Sequence, residues 1–275
     1  MNVEAWSSMR LPYQPRGWLR DFRRELGTAC RTLVAGPPQI LHATYSSEDR
    51  SLVDLENALT YNLGTGAISA AVRYGLVLER RFSRVGPATA EAHHYRYRLT
   101  DQTDGWMHWA AGAPLASIQL HAPASLFASP DAKRWWLATR RADTTAHART
   151  AAVPDRFVMR VVVSPPERWR GSLAGLLTPM ADGLISAVHA HEGPVKDTLL
   201  DRAGSIDPSL TPRELHDLLV DPDVAPLGRV RFLVVRGSGV MVLPADDRLV
   251  ALDLRIVQDE PAGSITADIA QATTA

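Results

Sequence analysis

The sequence predicts an α+β fold (mixed α/β), with a C-terminal sheet-and-helix core and an N-terminal α/β region packed on it. Three observations carry this. Phe157–Val163 (FVMRVVV) is a continuous β-branched run closed by Pro165-Pro166, as expected of a buried strand. Residues 93–100 alternate, with Tyr95, Tyr97 and Leu99 on one side and Arg96 and Arg98 on the other, the pattern of a half-buried strand. Leu52, Leu55, Leu59 and Leu63 recur at helical spacing.

Residues 1–40 read as irregular apart from a helix over 18–32, whose arginines (Arg20, Arg23, Arg24, Arg31) fall on more than one face. Ser46-Ser47-Glu48-Asp49 resembles a helix start ahead of the leucine series, and Asn62 with Gly64-Thr65-Gly66 ends that helix in a turn. Residues 67–82 read as a strand or strand pair, and 114–122 as a further strand. The stretch 141–154 is polar and weakly patterned, so the boundary is placed there. This gives a basic N-terminal α/β region over 1–150, a core over 151–260 and a flexible tail over 261–275. Within the core, Thr178-Pro179 supplies an N-cap and an N1 proline for a helix running to His191. Thr211 and Glu214 have capping-box spacing. Residues 229–257 hold two β-rich runs around Gly237-Ser238-Gly239, the second interrupted by Pro244-Ala245-Asp246-Asp247.

Composition narrows the function classes. Apolar residues make up 45% and charged residues 22%, the balance of a chain that buries a core. No run approaches the roughly 18 apolar residues that span a bilayer, so no membrane partner is expected. The N-terminus lacks the basic-then-apolar order of a secretory signal, which makes a cytoplasmic location the expectation. Cys30 is the single cysteine, which excludes intrachain disulfides and cysteine-rich zinc sites. The zero net charge conceals an asymmetry: residues 1–150 hold 18 Lys/Arg against 13 Asp/Glu, and residues 151–275 hold 12 against 17. A basic part attracts phosphate and an acidic part can bind a cation. Of the 30 basic residues 28 are arginine, a bias that a GC-rich genome also produces.

The strongest chemical constellation is Asp182 with Asp246 and Asp247. Adjacent carboxylates at a break in a strand are costly unless solvent, a cation or a donor takes up their charge. Asp182, Ser186 and His189 share one helical stripe. Two or three carboxylates suit Mg²⁺ or Mn²⁺. A surface turn accounts for the pair equally well, and Asp182 in a first helical turn would complement the helix dipole. Asp54-Leu55-Glu56-Asn57 is a second acidic motif. On a regular helix Asp54 and Glu56 point some 200° apart, so both reach one site only from an irregular start, and only if the two halves pack closely. Otherwise they lie on a solvated face. Lys133-Arg134-Trp135-Trp136 reads either as a stacking platform or as packing. His189-Ala190-His191-Glu192 has metal-like residue types at a spacing that splays the imidazoles. A third glycine, a P-loop lysine and a G-x-S-x-G elbow are all missing.

The order of FVMRVVVSP, then GLLTPMADGLISAVHAH, then ADDRLVALDLRI resembles the core of the RusA-type Holliday-junction resolvases. In that family a strand leads into an Asp-x-Asp-Asn motif at a helix start, a further aspartate follows on the helix, and an Asp-Asp-x-x-Val strand completes an acidic magnesium site. Asp182 matches the helix aspartate, Asp246-Asp247 the pair and Val250 the valine. The resemblance covers 156–257, with a long insertion between His191 and Pro244. Where Asp-x-Asp-Asn belongs, the chain has Ser172-Leu173-Ala174-Gly175. The resemblance implies a Mg²⁺- or Mn²⁺-dependent endonuclease acting on DNA, with Asp182, Asp246 and Asp247 binding metal and catalytic, Asp54 and Glu56 as further candidate ligands, and arginines of the first half on phosphates. A homodimer is left open. The departure at Ser172–Gly175 supports a different expectation, a non-catalytic protein with a degenerate nuclease-like core that binds nucleic acid or another protein.

Overall fold

The computed structural model describes residues 1–49, 53–83, 92–103, 105–147 and 153–275. The first strand, β1, is Asn2–Ser7, and helix α1 is Trp18–Cys30. Strand β2 (Gln39–Ser47) leads to a π-helical turn at Asn57–Tyr61 and a 3-10 turn at Thr65–Ala67. Strands β3 (Gly75–Arg81), β4 (His93–Asp101) and β5 (Trp109–His121) follow. Next come helices α2 (Ala124–Ala128) and α3 (Ala132–Arg140), strand β6 (Asp143–Ala146), strand β7 (Phe157–Val163) and helix α4 (Leu173–Ala187). A short strand β8 (Ala190–His191), helices α5 (Asp197–Ala203) and α6 (Pro212–Val220), and strands β9 (Arg229–Val230), β10 (Leu233–Arg236) and β11 (Gly239–Val242) form an excursion. The chain returns through a 3-10 turn (Asp246–Arg248) to β12 (Leu249–Ile256) and β13 (Ser264–Thr274). The fold is α+β.

One nine-stranded sheet runs through the chain in the order β1-β4-β2-β3-β12-β7-β13-β5-β6. Strand β2 runs parallel to β3, and β7 parallel to β12; the central pair β3–β12 is antiparallel. Alternate residues of the strands (Leu41, Leu76, Tyr97, Met159, Leu252, Ile269) share one core with Leu26 of α1, Leu59 of the π-turn, Trp135 of α3 and Leu177 of α4. Burying such side chains contributes about 1.5–3 kcal/mol each. The opposite side of the sheet carries a smaller cluster around Trp109, Val158, Val250 and Ala251. The excursion has its own core, in which Trp136, Phe232 and Leu219 meet. No helix among the described residues is long and apolar enough to cross a membrane.

Several expected elements take another form. Residues 2–7, expected to be irregular, form the edge strand β1 on β4. Residues 261–275 are not a flexible tail: β13 lies between β7 and β5, with Ile265, Ala267 and Ile269 buried. Its alternation is carried partly by alanines, too small to register as a hydrophobic pattern. The sheet runs through both expected regions without a break. Residues 148–152 lie outside the described set, and β5, which precedes them, pairs with β13. Ser46 and Ser47 end β2 rather than start a helix; Leu52 lies outside the described residues. Pro179 sits inside α4, which begins six residues earlier than its proline suggested, because burial of Leu173, Leu176 and Leu177 outweighs the hydrogen bond that Pro179 cannot make.

Residues 106–108, between β4 and β5, are held to the first half by a buried clasp. Glu79 of β3 accepts from His42 Nε2 at 2.6 Å and, through its other oxygen, from the backbone N–H groups of Met107 at 2.9 Å and His108 at 2.8 Å. Burial alone would raise the Glu79 pKa; the hydrogen bonds from His42, His108 and Met107 more than offset this and bring it below the usual value.

Candidate acidic site at the junction of the two halves

The central antiparallel pair decides what meets what. Because β3 and β12 oppose each other while β2 follows β3 and β7 follows β12, one end of the sheet collects the exits of β2 and β3 and the entries of β7 and β12. The chain leaving β2 reaches Asp54, and the chain entering β12 passes through Asp246 and Asp247. A bulge between Leu249 and Ala251 lies at this same strand entry; such irregularities re-aim side chains beside functional sites.

Asp54 stands just ahead of the helical turn. Its Oδ1 accepts from the Asn57 backbone N–H at 2.9 Å, and its Oδ2 accepts from the Asn57 side-chain amide. Asp54 thus caps the turn from outside its helical path, while Glu56 lies within it in regular helical conformation. Glu56, in the first turn, is 2% exposed, and neither carboxyl oxygen makes a hydrogen bond. The turn then widens, with Asn62 N–H donating to Asn57 O at 3.0 Å, five residues back. π-Turns of this kind frequently mark functional sites.

Four carboxyls from the two halves act on one another here. Burial raises the Glu56 pKa well above the usual value, and the negative charges of Asp182, Asp54 and Asp246 add to the effect; the Thr178 hydroxyl, close by but outside hydrogen-bonding geometry, is the smallest influence and lowers it. Asp246 is pushed up to about 9 by burial, by Asp54 and Asp182, and by a hydrogen bond to Asp54 in which it holds the proton. Asp54 is raised by burial, against the opposing Asn57 and Asp246 hydrogen bonds, and the charge of Asp247 raises it further. Asp182 is pushed up to about 7 by burial and by Asp54. The cluster therefore joins Asp54 and Glu56 to Asp182 and Asp246, with Asp247 at its rim. Asp182 is ten residues into α4, too far from the start to serve the helix dipole. Its position along the helix is fixed next door: a Cβ on Gly183 would stand 2.3 Å from Trp135 Cβ, so only glycine lets α3 and α4 approach this closely.

Other sequence candidates lie elsewhere. Ser186 and His189 are buried, and His189 Nδ1 donates to Gly228 O at 3.3 Å. Burial pushes its pKa down to about 4, leaving a neutral imidazole at the excursion. His191 packs edge-on against Phe232. Trp135 and Trp136 are fully buried, so that motif is packing.

The same sheet end carries positive charge. Buried Arg80, next to last in β3, donates to Asp49 O at 2.8 Å. Its guanidinium lies 4.5 Å from the centre of the Phe82 ring, and that of Arg156, just before β7, lies 4.3 Å from the same ring. Neither was singled out from the sequence, where 28 arginines dilute any local signal.

Among the described residues no group of three or more His, Cys, Asp or Glu side chains is arranged to hold a metal ion. The donor set nonetheless suits a hard divalent cation: it is all oxygen, drawn from four mutually repelling carboxyls, and it includes buried Glu56 with both oxygens unbonded. Ligation then requires the shared Asp54–Asp246 proton to leave. Comparison of the chain with family models, with curated proteins and with solved structures gave no match.

Proposed function

We propose that this protein is a divalent-metal-dependent nucleic-acid endonuclease of RusA-like type, acting on DNA with Mg²⁺ or Mn²⁺. The observation that carries this reading is the buried, unbonded Glu56 carboxyl among Asp54, Asp182 and Asp246. A buried carboxyl without a hydrogen-bond partner is costly, and the half-buried Asp54, Asp182 and Asp246 around Glu56 add to that cost, so stability alone gives no reason to keep it. Asp54, Glu56, Asp182 and Asp246 would hold the cation, with Asp247 beside them. When bound, a divalent cation lowers the pKa of a coordinated water and neutralises charge that builds on a phosphodiester.

The chain's own residues do the rest. Arg156, half-buried just before β7 at the same end of the sheet, would supply positive potential for the phosphate backbone. Asn57 orients Asp54 through two hydrogen bonds. In the hydrolysis a water oxygen forms a bond to phosphorus and the ester P–O bond breaks. One water proton goes to the leaving hydroxyl, and the other is taken up by a carboxylate and released to solvent.

Incubation with branched, duplex and single-stranded DNA in Mg²⁺ or Mn²⁺, beside Asp246→Asn, tests this. Cleavage abolished by the substitution is the expected result, and cleavage indifferent to it would remove the assigned site. The second reading, a non-catalytic binding protein, draws on the lack of a ready-made metal arrangement among the described residues. Its outcome is salt-sensitive binding of DNA without cleavage.

A further inference from the structure

The sheet order has a symmetry. Read from the centre outward, one half gives β3-β2-β4-β1 and the other gives β12-β7-β13-β5. Directions and pairings agree as well as order. Ala43 of β2 pairs with Leu78 of β3 and Tyr97 of β4, and Tyr97 pairs with Val3 of β1. Val161 of β7 pairs with Leu254 of β12 and Ala267 of β13, and Ala267 pairs with Ile118 of β5. Superposing Ala43 on Val161 therefore carries Leu78 onto Leu254, Tyr97 onto Ala267 and Val3 onto Ile118. Across the centre the pair Leu78–Leu252 becomes the pair Leu254–Leu76, and Val77–Asp253 maps onto itself. A pseudo-twofold axis thus passes through Val77–Asp253. Helices correspond too: α1 follows β1 as α3 follows β5, and all pack into the same core.

The correspondence extends to sequence at the helix after β2 and β7. The offset that takes Ala43 to Val161, 118 positions, takes Asp54-Leu55-Glu56-Asn57-Ala58-Leu59-Thr60 onto Ser172-Leu173-Ala174-Gly175-Leu176-Leu177-Thr178 without a gap. Leu55, Leu59 and Thr60 recur as Leu173, Leu177 and Thr178, and helical structure begins at Leu55 and at Leu173. The excursion of 188–245 is the one large insertion in the second copy. With this alignment the equivalents of the acids can be read off. Asp54 falls on Ser172, Glu56 on Ala174, Asp182 on Gly64, and, through the Leu78–Leu254 equivalence, Asp246-Asp247 on Ala70-Ala71. None of these equivalent positions carries a carboxyl.

We infer that the chain is a tandem fusion of two copies of one β-α-β-α-β-β unit, in which each copy completes a site on the other and a single site keeps its acids, so that the molecule cuts one strand per encounter with duplex DNA. The cut itself rests on the nuclease reading above. The composite geometry follows from the antiparallel centre, which places the helix start of one copy against the strand entry of the other. A single composite site offers a second strand no acids, so paired cleavage needs a second, independent binding event.

The test uses the full chain with Mn²⁺ as probe. Light scattering gives the chains per particle, equilibrium Mn²⁺ binding counts the sites per chain, and supercoiled plasmid reports strands cut per encounter. We expect a monomer, saturation at one acidic site that Glu56→Gln weakens on the order of 100-fold, and nicked circles that accumulate before linear DNA appears. Asp246→Asn repeats the test should the Glu56 variant fail to fold, with circular dichroism as the check. Linear DNA arising directly from supercoiled, or two chains per active particle, overturns the one-strand inference and leaves the nuclease reading standing. Mn²⁺ binding indifferent to both variants, with DNA left intact, removes the nuclease reading and the one-strand inference together.

Discussion

Asp246→Asn should stabilise the metal-free protein, and increasingly so as pH rises. In the native state Asp246 titrates at about 9 rather than 3.8, because it is half-buried and desolvated beside Asp54 and Asp182. At pH 7 the unfolded chain has released this proton and the native chain has kept it. The native state then binds more protons, so stability falls as pH rises through the window between 3.8 and about 9. At pH 7 the unfolded carboxyl is about 3 units past its midpoint, which at 1.36 kcal/mol per unit costs about 4 kcal/mol. The proton is shared with Asp54, so the figure belongs to the pair. An asparagine amide donates to Asp54 as the protonated acid did and carries no such cost. A gain of about 2–4 kcal/mol is expected at pH 7, or roughly 5–15 °C in Tm for a chain of this size. The assay is thermal unfolding by circular dichroism at pH 5, 7 and 8.5 in chelated buffer. The gap between variant and wild type should widen with pH. Adding Mn²⁺ at 100 times its Kd should stabilise the wild type by about 2.7 kcal/mol and the variant far less. A gap independent of pH, or a variant less stable throughout, would refute the electrostatic account.

Gly183→Ala forces a methyl into the α3–α4 contact, 2.8 Å from both Ala132 O and Trp136 N; a loss of about 1–3 kcal/mol is expected in urea unfolding, with reduced Mn²⁺ affinity from the neighbouring Asp182. Trp136→Ala, at a fully buried position between α3 and the excursion, should cost about 3–5 kcal/mol and release the 188–245 segment to proteolysis first. Glu79→Gln removes the charge from the clasp on Met107 and His108; about 1.5–3 kcal/mol should be lost, with faster hydrogen exchange at those two amides. Because the Glu79 pKa is depressed in the fold, the wild-type contribution is present above 4.5 and should fade as pH falls through the lower native value.

Local rules read several elements well. Strand β7 coincides with its predicted span, β4 nearly so, and the hairpin of β10 and β11 forms about Gly237 and Ser238. Thr211 and Glu214 make the capping box their spacing implied. Errors arose where a local signal met a tertiary demand. Thr178-Pro179 has the chemistry of a helix start, yet three leucines before it are needed in the core. The site itself was half legible. Asp182, Asp246 and the Asp54-Leu55-Glu56-Asn57 motif are visible as separate acids, but their meeting depends on the antiparallel pairing of β3 with β12, across 170 residues of chain. No local pattern encodes that pairing, since both strands are apolar runs that would fit several neighbours.

The Val77–Asp253 pair at the centre of the sheet shows what one continuous chain permits. Two identical chains meeting about this axis would set a residue against its own copy, either two valines or two buried aspartates. Here the positions are encoded separately. Asp253 faces an apolar partner and directs its charge to Arg160, at 3.3 Å, and to Arg255. Each position on one side can therefore mutate without changing its counterpart on the other, a freedom that an assembly of identical subunits does not have.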